Sequence, residues 1–158
     1  MRSALLAGAL VLIGAIPAKA QQARLDAKTA QAIVAGCAAH AAAKKQSHAI
    51  AVVDIGGHVI AALRMDGTGS GMMDFAQAKA EAVAAWGFST AQMTEGAKGT
   101  PGFARAPHVV TVAGGVPIFS ADGKARLGGV GASGEAPEDD AACVTAGIVA
   151  AGLRPSRG

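Results

Sequence analysis

Three charged side chains stand out in a chain that is 51% hydrophobic and only 16% charged. Arg64 and Asp66 close the stretch GGHVIAALRMDG (56–67), and Lys79 follows within DFAQAKAEAV (74–83). Arg64 and Asp66 are two residues apart, which puts them on one face of a strand. Lys79 shares a helical stripe with Phe75 and Val83. A lysine on an apolar stripe must snorkel, pair with an acid or meet a ligand, because burying it unpaired is costly. One reading is a structural Lys79–Asp66 or Arg64–Asp66 pair that pins the helix to the strand. The other is a cationic mouth that holds the carboxylate of a small organic acid, with Asp66 or His58 available for proton transfer; the guanidinium fork suits carboxylates.

Other reaction chemistry finds little support. Gly131-Ala132-Ser133-Gly134 lacks the spacing of a nucleophile elbow, and no HExxH motif is present. The chain therefore leans away from an enzyme. The glycine-rich loop GGVGASG (128–134) could cradle an anion, but Glu135, Glu138, Asp139 and Asp140 follow at once. Close packing by the glycines, with the acids capping a helix, is the better reading. Cys37 and Cys143 are the only cysteines. They are either a disulfide joining the first and last helices or two small buried core residues.

Composition bounds the setting. Arg2, the apolar run Ala4 to Ile16 and Ala18-Lys19-Ala20 have the form of a secretory signal over residues 1–20, cleaved before Gln21. The apolar run is short for a membrane span. The expected mature chain is one domain, 21–158, in the periplasm or secreted, with no membrane span. Loss of Arg2 and Lys19 leaves 12 basic residues against 11 acidic. With no tyrosine and no basic stripe, the chain is not expected to bind nucleic acid.

The elements that must position these residues follow from periodicity. Asp26 to about Gln46 reads as a helix with Ile33, Cys37 and Ala41 on one face. HAIAVVDI and HVIAALRM flank Gly56-Gly57, which predicts a hairpin with a two-residue turn. In that register Ile55 faces His58, Val53 faces Ile60 and Val52 faces Ala61. Both faces of the hairpin are apolar, so the second should be covered by helices or by another subunit of a homo-oligomer. A helix from Ser70, as N-cap, to Trp86 is expected next, then a short helix over 89–96 and a loop at GTPGFARAP. HVVTVAG and GVPIFSA read as strands, ARLGGVGAS as a third, and Pro137 opens a last helix running to about Ala151. The order α-β-β-α-(α)-β-β-β-α predicts an α+β domain: an antiparallel sheet of about five strands packed with helices.

Four stretches in this order, AVVDIGGHVIAALRMDG (51–67), DFAQAKAEAVAAWGFST (74–90), AGGVPIF (113–119) and GGVGASGEAPEDDAACVTAG (128–147), resemble the GlcG/HbpS family of haem-binding and haem-sensing proteins. That family includes the C-terminal domain of PduO-type cobalamin adenosyltransferases. The resemblance implies a profilin-like sheet between helices, self-association, and binding of haem or a related tetrapyrrole for storage or sensing. Haem b would be held without covalent attachment, since no CxxCH motif is present. Among the four histidines, His58 at the start of the second hairpin strand, His108 after the loop and His40 on the first helix are candidate iron ligands, while His48 reads as surface. Arg64, Asp66, Lys79 and His58 are the candidate ligand-binding set, the cations meeting haem propionates or an organic acid. A third possibility is an oligomeric structural subunit without ligand.

Overall fold

The computed structural model describes residues 23–158. The expected signal segment lies outside the described residues, apart from which the chain forms one α+β unit. Helix α1 is Ala27–Ala43, β1 Ala49–Asp54, β2 Val59–Arg64, α2 Ser70–Trp86, α3 Thr90–Gly99, β3 Gly115–Phe119, β4 Arg126–Ser133 and α4 Pro137–Ala150. The four strands form one antiparallel sheet in the order β2-β1-β4-β3. None of the helices among the described residues is long and apolar enough to cross a membrane.

The sheet is covered on both faces. Ile50, Val52, Ile118, Val130 and Ala132 pack with Ile33, Cys37, Val144 and Ile148 of α1 and α4. The alternate residues Ala49, Ala51 and Val53 meet Ala76, Ala80 and Ala84 of α2. Small residues let α2 lie close. A Cβ at Gly131 would overlap the carbonyl oxygen of Ala76, and one at Gly129 would stand 2.5 Å from that of Ala80. Gly128, Gly129 and Gly131, expected in a loop, lie instead within β4, and they serve close packing, as the sequence suggested. Cys37 and Cys143 form a disulfide, S–S 2.01 Å, that ties α1 to α4.

Several local expectations change. The hairpin pairs Val52 with Ala61 as expected, but a bulge then sets Val53 opposite Val59. The turn is one residue longer than two: the Gly57 N–H bonds to Asp54 O at 3.0 Å, the Asp54 N–H bonds to His58 O at 2.9 Å, and Gly57 takes φ +85°. Glycine supplies that left-handed position, and the Asp54 carboxylate accepts from the backbone N–H groups of Gly56 and His58 at 2.8 and 2.9 Å. This is the three-residue hairpin with a glycine bulge. Gly69, not Ser70, occupies the N-cap of α2. Helix α3 starts one residue after Ser89, whose hydroxyl and Gln92 form a capping box.

The sheet has four strands rather than five because HVVTVAG is not a strand. Proline precedes it, His108 takes φ +58°, Gly114 takes φ +121°, and the indole N–H of Trp86 holds Pro107 O at 3.0 Å. A turn conformation at one end and a left-handed glycine at the other keep these residues out of the ladder. The outer edge of β3 instead meets the C-terminal tail, through the Phe119–Arg154 bridge.

Candidate functional site

The polar residues gather at the two ends of the sheet. At the end where β1 begins and β4 finishes, Lys79 is buried, 1% exposed, and its ammonium donates to Asp140 Oδ2 and to Ala132 O, each at 2.9 Å. Asp140 Oδ1 also accepts from Glu135 N–H at 3.2 Å and pairs with His48 Nδ1 at 3.0 Å. A carboxylate accepts, so Nδ1 of His48 carries the shared proton, and Nε2 is left enclosed without a partner. His48 is fully buried, against the expectation of a surface residue. Gly114 closes over the group: a Cβ there would lie 2.7 Å from the Lys79 nitrogen. The Lys79 nitrogen also stands 4.7 Å from the centre of the Phe75 ring.

The anticipated pairs of Lys79 or Arg64 with Asp66 do not form. The guanidinium of Arg64 donates to Thr68 O, four residues on. Asp66 offers its backbone oxygen to Ser47 Oγ at 2.7 Å, and Ser47 also shares a hydrogen bond with Thr68. Glu135 accepts the N–H of Ser47 at 2.9 Å. The RMDG turn, the GASGE stretch and Lys79 do converge on one end, where Ser47 links Asp66 O to Glu135 and Lys79 holds Ala132 O. Lys79 is buried with two of its three donors on Ala132 O and Asp140, and Arg64 turns to Thr68 O, so the two do not form a joint mouth. Sequence reasoning missed Asp140 as the partner because its place in the first turn of α4 already explained an acid there.

The opposite end, around the hairpin turn, is open. His58 has 82% of its side chain exposed, and its Nδ1 lies 3.3 Å from Asp54 Oδ1. The backbone N–H groups of His58 and Gly56, with burial opposing them, hold the Asp54 carboxyl below its ordinary value. Asp54, Ile55 and Ile60 line a cavity of about 480 Å³ whose other walls include Arg24, Leu25 and Leu127. On the other side of Ile55, His108 and Gly56-Gly57 border a smaller groove of about 210 Å³, with Glu81 and Ala85. The turn therefore brings His58 and His108 to one end of the molecule. His40 sits in the last turn of α1, roughly 20 Å along the helix from its first turn. It shares neither cavity. Arg24 and Leu25 are cavity residues that the sequence reading did not single out; a cation beside the first core leucine was the available signal. Among the described residues no group of three or more His, Cys, Asp or Glu side chains is arranged to hold a metal ion.

A family model described as "Haem degrading protein HbpS-like" matches residues 25–149. The chain belongs to the HbpS-like family. The fold agrees with solved HbpS-like structures. A crystal structure of HbpS superposes with a TM-score of 0.75 at 22% identity, covering 87% of this chain and 97% of that one. The PduOC:heme complex gives 0.77 at 21%, covering 85% and 100%. Klebsiella pneumoniae protein ORFY gives 0.76 at 22%, covering 87% and 97%. At such identities these likenesses speak for the fold alone. Comparison with curated proteins returns no match. Of the HbpS-like signature stretches, the RMDG turn and the GASGE stretch belong to the closed end, while the GGH turn belongs to the open one.

Proposed function

We propose that this HbpS-like chain binds haem b non-covalently at the open end, with His58 as the iron ligand. The observation that carries this reading is the exposed His58, paired with Asp54, whose carboxylate lines the 480 Å³ cavity. Iron-ligating histidines commonly give their other ring nitrogen to a carboxylate, which fixes the ring and raises the basicity of the free nitrogen. Asp54 occupies Nδ1 in this way and leaves Nε2 directed away from it. The remaining walls suit the same group: Leu25, Ile55, Ile60 and Leu127 are apolar, and the Arg24 guanidinium is matched to a propionate. The size falls within the range of ligand clefts. Haem, when bound, supplies a redox-active iron. The chain's own part is to seat the macrocycle on apolar side chains, pair its carboxylates and hold the imidazole in one orientation. His108 has no comparable carboxylate partner among the described residues and borders the smaller groove.

Export, and a role in haem storage or sensing, belong to the same proposal. The buried Cys37–Cys143 disulfide supports an oxidising compartment. The exposed Val59 and Leu63 on the edge strand β2 support self-association. Hemin titration followed at the Soret band tests the site. Wild type and His108→Ala should develop the same ligated band, and His58→Ala should lose it or shift it to the spectrum of free hemin. An unchanged band in His58→Ala would remove His58 from the iron.

A further inference from the structure

The chain holds five aromatic residues, four Phe and one Trp. Four of them meet at one place, the junction of α2, α3 and the loop behind them. Trp86 packs edge-on to Phe103, with ring centres 5.2 Å apart at 90°, and Phe88 lies 6.1 Å from Trp86. Phe119 faces the same space from β3, and Trp86, Phe88 and Phe119 line a cavity of about 420 Å³. Its far wall is the C-terminal tail, anchored where Phe119 and Arg154 exchange backbone hydrogen bonds at 2.8 and 3.1 Å. Trp86 is nevertheless 38% exposed, with its indole fixed in orientation by the hydrogen bond to Pro107 O.

Charge in this cavity has one sign. Arg126 and Arg157 line it, and no Asp or Glu does. The Arg126 guanidinium lies over Gly87, whose φ of +83° and missing Cβ make room; a Cβ there would stand 2.6 Å from Nη1. It donates to Val83 O at 3.2 Å, which uses one of five N–H donors. Among the described residues no carboxylate lies within ion-pair distance of either arginine. A half-buried guanidinium held in place, with donors to spare and aromatic faces beside it, matches a flat ring that carries a carboxylate. We infer that this cavity binds a small aromatic carboxylate, its acid on Arg126 with Arg157 alongside, and its ring against Trp86 and Phe88. Arg126 also borders the hairpin cavity, but the aromatic rings and Arg157 line this cavity and not that one, and the assignment makes no use of the haem reading.

Trp86 is the only tryptophan, so its fluorescence reports on the cavity alone. Benzoate and phenylacetate should change the emission saturably, and neutral benzamide should not. Arg126→Gln, once its thermal transition is shown to be native-like, should weaken benzoate about tenfold, as expected for a lost charge-assisted pair. If Arg126→Gln does not fold, Arg157→Gln on the exposed tail serves, with a smaller loss of benzoate affinity expected. Absence of a saturable change, equal binding of benzamide, or wild-type affinity in the folded arginine variant would overturn the assignment.

Discussion

The two ends of the sheet handle charge in opposite ways. At the closed end, Lys79, Asp140 and His48 are removed from water, and every ammonium and carboxylate bond named there ends on protein. At the open end, Arg24, His58 and Ile55 face solvent or a cavity, and the Asp54–His58 pair is the main polar contact. Charge that is satisfied internally fastens the elements but has little left for a ligand. Charge placed beside apolar surface and left with spare donors can recognise one. The most recognisable stretch of the sequence therefore divides: its RMDG half builds the fold, and its GGH half faces the candidate site.

The comparison can be broken most forcefully on the closed side. The disulfide closes a loop with a sequence separation of 106 residues, so replacing both cysteines with alanine should cost about 4–5 kcal/mol, read by urea unfolding beside the wild type. Asp140→Ala should cost about 3–5 kcal/mol, because it strands the Lys79 ammonium in the interior. Replacing both partners, Lys79→Met with Asp140→Leu, should recover part of that loss, the remainder coming from His48 Nδ1 and Glu135 N–H, which also lose their acceptor. Equal destabilisation by the single and double variants would mean that the bonds of Asp140 to His48 and Glu135, not its pair with Lys79, hold this end. Gly131→Ala forces a methyl into the backbone of α2 and should cost about 1–3 kcal/mol, again read by unfolding.

Effects on the open side should be smaller. Asp54 titrates below its ordinary 3.8 because its carboxylate accepts the His58 N–H. A depressed folded value means that its stabilisation is complete above 3.8 and is lost as pH falls through the lower folded value. The acid limb of unfolding below about pH 4 should thus be slightly shallower in Asp54→Asn, whose side chain does not titrate. His58→Ala should change stability by less than about 0.5 kcal/mol, as for an exposed side chain, while removing the ligated hemin spectrum. A large stability loss in His58→Ala would assign the residue to the fold instead.

Much of this was legible in the residues themselves. The hairpin, the disulfide as one of two options, the Pro137 helix start and the packing role of the glycines followed from turn chemistry and periodicity. Lys79 was visible as an anomaly, but its partner was not, since Asp140 lies 61 residues away and only the packing of both α2 and α4 against β4 brings the two together. His48 was misread because polar neighbours, Lys44 to Ser47, precede it; the signal pointing inward was the apolar run Ala49 to Val53 that begins at the next residue, all of it buried. The extra strand at 108–114 failed because a run of β-branched residues says nothing of the turn conformation that His108 adopts. The bulge in the hairpin escaped for a related reason: Asp54 and Gly57 settle the turn together, and adjacent glycines alone suggest the shorter one.

Hydrogen exchange on the full chain, with and without one equivalent of hemin, compares the two ends in a single measurement. Peptides covering 54–60 should gain protection on hemin addition, and those covering 64–68 and 133–140 should exchange as before. Protection confined to 64–68 and 133–140, with the hairpin turn unchanged, would contradict the assignment of the open end as the haem site.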